Sequence, residues 1–277
     1  MSQYIINLCI FFIIVILSAT LIIYFCKNPR YSENYRKNKH LQIYGGMVTI
    51  PSRKQHLDKV IASIIKQVDH LYVHLNYDRE DKIPTCLNHP KITITHANQY
   101  GDLGDTGKFL SLCKNGFSKN CYSATFDDDI IYPDAYISKC IKKAKKYNNK
   151  VIISHHGGIL NKYVKNFAAE RNLIHFQKAT NKDTWVNICG TGVTVYPPNL
   201  LKLTIKDFER PNTSDLFVAI AAQKQKVPMI VIKHKQNLFG EIEYSYTLWR
   251  TEIDKKSDLH NQNTQTAKKI EWTLFSI

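Results

Sequence analysis

The chain has 277 residues, 44% of them hydrophobic, and its 38 lysines and arginines outnumber 23 aspartates and glutamates to leave a net charge of +15. It holds no internal repeat or low-complexity tract, its cysteines lack the paired spacing of a disulfide framework, and no Cys-x-x-Cys or Cys/His cluster suggests structural zinc. A basic balance raises nucleic acid as a partner, but without a recognition-helix pattern, zinc finger or Arg-rich arm no nucleic acid is expected; solvated lysine is the default, and an anionic substrate or a membrane surface the functional alternative.

Ile5 to Cys26 is apolar except for Asn7, Ser18, Thr20 and Tyr24. That matches the roughly 20 residues a helix needs to cross a bilayer. A secretory signal would want a preceding Lys or Arg and a small-residue cleavage site, and neither is present. Residues 1–26 are therefore expected to be a retained transmembrane helix. The linker 27–40 carries Lys27, Arg30, Arg36, Lys37 and Lys39 against Glu33. Positive charge beside an anchor stays inside, so the expectation is a single-pass membrane protein with its main domain, residues 41–277, on the cytosolic side.

Within 41–277 the pattern alternates. Gly46 to Ile50 reads as a strand ending at Pro51, and Leu57 to Val68 places apolar residues at helical spacing. His70–Leu75 is the next strand, with Asn76–Asp78 as its exit loop, and Lys91–Thr95 a third. A helix over Phe109–Phe117, a strand over Tyr122–Phe126, a basic helix over Ala135–Lys146 and a strand over Val151–Ser154 follow. Trp185 to Tyr196 contains a Gly-Thr-Gly turn between short β-prone runs. Ser214–Lys224 reads as an amphipathic helix capped by Thr213 or Ser214, and Met229–Ile232 as a last strand before a polar tail. The alternation predicts an α/β fold with a mostly parallel sheet flanked by helices.

The strand over Tyr122–Phe126 delivers Asp127, Asp128 and Asp129 from its carboxyl end. Three adjacent carboxylates repel one another, and a divalent cation with a taste for hard oxygen, Mn²⁺ or Mg²⁺, relieves them. Acids at that end of a strand also sit where open α/β sheets bind ligands. A solvated acidic turn is the plainer alternative.

In order, these motifs resemble a glycosyltransferase of the GT-A (Rossmann-like) fold, close to the family 2-like enzymes of bacterial and viral surface glycans, over most of residues 44–250. Thr49-Ile50-Pro51-Ser52-Arg53 matches the nucleotide-contacting turn, Asn76 and Asp78 the loop near the base, and Gly101, Asp102, Gly104, Asp105 and Lys108 the segment before the acidic motif. Asp127 and Asp129 correspond to the Asp-x-Asp motif, His156-Gly157 to a following His-Gly, Gly190-Thr191-Gly192 to an acceptor-side loop, and Asp215 to the general base of inverting members.

The resemblance implies a donor site of Thr49, Pro51, Arg53, Asn76, Asp78, Asp105, Lys108, Asp127 and Asp128, and an acceptor side of His156, Gly190, Thr191 and Gly192. It implies a Mn²⁺ or Mg²⁺ ion on Asp127 and Asp129, with His260 or His234 as a late third ligand. The partners implied are a nucleotide-sugar donor, with a UDP-sugar first in line, and a glycan or lipid-linked acceptor. Ser214 stands where family 2 enzymes place a second acid, and the Gln-x-x-Arg-Trp signature of processive synthases is missing, with Leu248-Trp249-Arg250 its faint echo. Addition of a single sugar is expected over polymerisation. The alternatives are a membrane-tethered sugar-binding or scaffold protein of the same fold, and a nucleotidyl or phosphoryl transferase. Asp215 also reads as a helix-initiating acid favoured by the macrodipole, and Trp185 as core.

Overall fold

Hydrophobic strands that alternate with short helices are buried on both faces of a sheet, and the molecule is built around one such sheet. The computed structural model describes residues 41–76, 82–114, 120–244 and 258–277. The apolar segment 1–26, the linker 27–40, Asp78 and Trp249 lie outside the described residues. Among the described residues no helix is long and apolar enough to cross a membrane.

In chain order the strands are β1 (Gln42–Thr49), β2 (His70–Leu75), β3 (Ile92–His96), β4 (Cys121–Phe126), β5 (Ile130–Ile131), β6 (Ile152–Ser154), β7 (Gly157–Ile159), β8 (Asn172–Ile174), β9 (Thr184–Val186), β10 (Ile188–Cys189), β11 (Val193–Tyr196), β12 (Met229–Val231) and β13 (Gly240–Glu241). Among the described residues the α-helices of five or more residues are α1 (Leu57–Ile64), α2 (Leu110–Lys114), α3 (Tyr136–Lys146), α4 (Ser214–Gln225) and α5 (Asp258–Lys268). Eight strands form the main sheet in the order β3-β2-β1-β4-β11-β6-β12-β9. All run parallel except β11 and β9, which oppose their neighbours. The sheet is thus mixed and Rossmann-like, and the span Trp185–Tyr196, legible only as β-prone, divides into β9, β10 and the antiparallel β11.

β4 is central, and all six of its residues are buried. Its run of apolar and small side chains is what a strand covered on both faces requires. β1 hands the chain to β2 and β3 on one side, while β4 starts the other side. The carboxyl ends of β1 and β4 therefore flank a crevice at the switch point, where such sheets take ligands. In register Met47 stands opposite Phe126, so the turn after Thr49 and the acids after Phe126 emerge side by side.

Two local features set that crevice. Gly46 lets the 3-10 turn Gly104–Phe109 press on β1, because a Cβ there would sit 1.9 Å from the Lys108 carbonyl oxygen. α4 is not the amphipathic surface helix the periodicity predicts. Every residue from Leu216 to Ala222 is buried, so it runs through the core. Sinking Leu216, Phe217, Val218 and Ile220 there contributes about 1.5–3 kcal/mol each. Nor do Thr213 and Ser214 cap it with their side chains. Thr213 Oγ1 donates back to the Arg210 carbonyl at 3.0 Å, and the buried first-turn N–H of Ser214 is taken at 3.1 Å by the carboxylate of Asp105, distant in sequence.

Candidate active site

The turn after β1 starts the site. Ile50 is extended, as a residue before proline must be, and Pro51 opens a 3-10 turn that carries Arg53 inward. Arg53 is only 6% exposed. Its guanidinium donates to Asp129 Oδ2 at 2.9 Å and lies over the Tyr244 ring at 4.1 Å, while the Tyr244 hydroxyl donates to the Arg53 carbonyl at 3.2 Å. Pro51 itself is exposed and shapes the turn without lining the crevice. Asn76, after β2, donates to the Gly104 carbonyl at 3.2 Å and ties the two loops together.

Lys108, 3% exposed, ends the 3-10 turn after Gly104 and pairs with Asp127. Burial pulls its ammonium towards neutrality, but Asp127 and Asp105 outweigh burial and hold its pKa above the ordinary lysine value. Asp105 lies on the other side, bonded to the backbone and hydroxyl of Ser214, with its pKa raised by burial against the pull of Lys108 and Ser214. A chain of alternating charge thus runs from the α4 N-terminus to the acidic turn: Ser214, Asp105, Lys108, Asp127.

The acidic turn is fastened by Tyr132, which accepts the Asp127 N–H at 2.9 Å and donates to the Gly192 carbonyl. Gly192 is needed there, since a Cβ would fall 1.9 Å from Asp127 Oδ2. The next residue back, Thr191, donates its N–H and its hydroxyl to Asp215 Oδ1, each at 2.8 Å. Burial and the neighbouring Asp129 raise the Asp128 pKa to about 7, with Arg53 opposing. Burial, then Asp127, also raises Asp129, and Arg53 again opposes.

Two chambers meet at these groups. The first, about 390 Å³, is lined by Thr49, Arg53, Asn76, Asp105, Lys108 and all three adjacent aspartates, with Asn212 and Asn263 on its far wall. The second, about 450 Å³, is lined by His156, His175, Phe176, the Gly190-Thr191-Gly192 loop and Glu241 to Tyr244. Asp127, Asp129, Arg171, Thr191 and Asp215 line both. The second chamber is low in positive charge. Burial lowers the His156 pKa to about 4, with Asp215 opposing, and lowers that of His175 too. His156 Nδ1 is buried with no hydrogen-bond partner among the described residues.

Thus the predicted donor residues, apart from Pro51 and the undescribed Asp78, gather in one chamber, and the predicted acceptor-side residues in the other or on the wall between. His260 lines neither chamber; Asn263, one helical turn on, reaches the first instead. His234 Nδ1 is 2.8 Å from the Ile232 carbonyl, satisfied by backbone, and Trp185 packs edge-on against Tyr147. Sequence reading missed Arg171, His175, Phe176 and Tyr244. Arg171 is the most telling of these: a half-buried guanidinium 4.9 Å over the Phe167 ring, pulled towards neutrality by desolvation and back by Asp215. No motif marks it, because it follows an irregular stretch with no periodicity.

Among the described residues no group of three or more His, Cys, Asp or Glu side chains is disposed to hold a metal ion unaided. The relief expected from a divalent cation comes from Lys108 on Asp127 Oδ1 and Arg53 on Asp129 Oδ2. One oxygen of each carboxylate is left over. Mg²⁺ or Mn²⁺ needs few protein carboxylates when phosphate oxygens and water complete the shell, so the donor set fits such an ion in company with a phosphate ligand.

No family model matches the chain, and no curated protein matches it. Solved structures do so at a distance. The 4-diphosphocytidyl-2C-methyl-D-erythritol synthase from Anaerococcus prevotii DSM 20548 is 12% identical with a TM-score of 0.46, over 82% of this chain and 97% of that one. Another 4-diphosphocytidyl-2C-methyl-D-erythritol synthase is 12% identical with a TM-score of 0.46, over 78% of this chain and 98% of its own. At that distance no residue role passes from them to this chain.

Proposed function

We propose that the protein is a glycosyltransferase that moves a single sugar from a nucleotide-sugar donor to a hydroxyl on a glycan or lipid-linked acceptor, with inversion. The observation that carries this reading is the pair of chambers sharing a wall of Asp127, Asp129, Arg171, Thr191 and Asp215. A transferase with two substrates needs such a junction, and here acid and base groups stand on it. The nucleotide diphosphate would lie in the first chamber, against Lys108 and Arg53, and the acceptor in the second, among uncharged histidines and the faces of Phe176 and Tyr244.

Asp215 is the base. Thr191 occupies one of its oxygens with two hydrogen bonds, fixing the carboxylate so that the other can take the proton of the acceptor hydroxyl. As that oxygen bonds to the anomeric carbon, the bond from that carbon to the phosphate oxygen breaks, and the nucleoside diphosphate leaves with the electron pair. Asp127 and Asp129 would hold Mn²⁺ or Mg²⁺, which when bound supplies positive charge to the leaving diphosphate. Arg53, Lys108 and Arg171 add fixed positive charge around the same group. Residues 1–26 would tether this domain to a membrane from the cytosolic side.

A second reading is nucleotidyl transfer. Three cations on the first chamber, Arg53, Lys108 and Arg171, could accept a triphosphate. One assay separates the two. With UDP-sugars and Mn²⁺, glycosyl transfer releases nucleoside diphosphate, stops in EDTA, and falls about 10²- to 10⁴-fold in Asp215→Asn. Release of pyrophosphate from a nucleoside triphosphate would replace the first reading by the second. Full turnover in EDTA would remove the metal. If donor binds and no variant at Asp129 or Asp215 changes any output, the chain is a sugar-binding scaffold.

A further inference from the structure

Because the parallel strands all begin at one edge of the sheet, the turns that feed them share a face opposite the active site. That face is basic. Lys66 precedes β2, Lys145, Lys146 and Lys150 precede β6, and Lys224 and Lys226 precede β12; all six are exposed. Topology brings them together. The Tyr122 hydroxyl bonds Asn149 at 2.5 Å, and Tyr122 stands opposite Ile43, the second residue of β1. The exposed Lys202 joins them, since its backbone exchanges hydrogen bonds of 2.9 and 2.7 Å with the Gln225 side chain. Two acids on elements that border this face are engaged: Asp69 accepts the Ile43 N–H at 2.8 Å, and Glu271 pairs with Lys162 at 2.8 Å. The clustered acids among the described residues, Asp127 to Asp129 with Asp215, are at the other edge.

The chain enters β1 at this same basic face, and the residues before it are the lysine- and arginine-bearing stretch 27–40 and the apolar run Ile5 to Cys26. We propose that the face formed by the turns into β2, β6 and β12 docks on anionic phospholipid headgroups. The crevice proposed above as catalytic then points away from the bilayer, which favours a glycan acceptor approaching from the aqueous side over a lipid-linked one in the same membrane. Each lysine held near an anionic leaflet strengthens the attraction by about fivefold, and the effect fades within roughly 8 Å in physiological salt. Only the docked turns should feel it.

Amine-reactive footprinting by mass spectrometry on the full chain tests this. In nanodiscs of phosphatidylcholine with about one-third phosphatidylserine, Lys145, Lys146, Lys150, Lys224 and Lys226 should label at least threefold more slowly than in pure phosphatidylcholine. The exposed Lys178 and Lys235, near the opposite edge, should not change. Salt at 0.5 M should abolish the protection, and so should the variant K145Q/K146Q/K150Q/K226Q with an unchanged thermal midpoint, read at the remaining Lys224. Equal labelling in the two lipids would overturn the proposal. So would protection by single-stranded oligonucleotide without protection by anionic lipid. If the chain does not insert in nanodiscs, the anchor is refuted, and the same footprint with anionic vesicles still decides the face.

Discussion

Asp128 shows how a single side chain reports its surroundings. Burial and the adjacent Asp129 lift its pKa to about 7, so between the unfolded value near 4 and that folded value the native state binds more protons than the unfolded one. Stability from this group is complete at acid pH and is lost as pH rises towards and through 7. Asp128→Asn should therefore be more stable than the parent at pH 8, by about 1–2 kcal/mol once relaxation of the site is allowed for. The two should converge at pH 4. Urea midpoints at the two pH values measure this, and a constant difference would show that the carboxyl is ionised throughout. The residue was legible as one of three crowded acids. Its separate fate was not, because only the fold sets which of three neighbours is turned into low-dielectric surroundings.

At the scale of elements, α4 and the Gly190-Thr191-Gly192 loop position the chemistry. The helix N-terminus is satisfied by Asp105, 109 residues away in sequence from Ser214. Asp105→Ala should cost about 1–3 kcal/mol, combining a lost cap with a buried Lys108 left short of an acid. Thermal unfolding checks it, and a shift below about 1 °C would mean another group caps the helix. Gly192→Ala should leave the fold standing while pushing Asp127 aside, with turnover down about a hundredfold. The strands and helices up to β6 were readable because their periodicity and turn residues agree. The stretch from Lys162 to Ala179 was opaque because its strand β8 is three residues long, half-buried to exposed, and irregular at both ends. Arg171, Leu173, His175 and Phe176 come from that stretch, so one wall of the second chamber lay hidden. The cap on α4 misled the eye for a related reason: Thr213 has the right chemistry, but its hydroxyl is spent on Arg210.

Among the described residues, a run of exposed lysines gathers at the edge where the parallel strands begin, and the cluster of Asp127 to Asp129 with Asp215 lies where they end. Alternation of strand and helix made the class of fold plain from sequence, whereas this polarity needed the strand order and direction. One feature of the acidic end has a kinetic meaning. Asp127 and Asp129 come with tethered counter-ions, Lys108 and Arg53, that never diffuse away. A lone divalent ion has to displace them and wins little. A nucleoside diphosphate offers the same lysine and arginine a stronger partner and so unmasks the carboxylates. Mn²⁺ affinity, followed by electron paramagnetic resonance, should rise at least tenfold when UDP is present, and UDP affinity by the same factor when Mn²⁺ is; equal affinities would rule the exchange out. Such reciprocity makes the resting protein indifferent to ambient metal and responsive only to the loaded nucleotide.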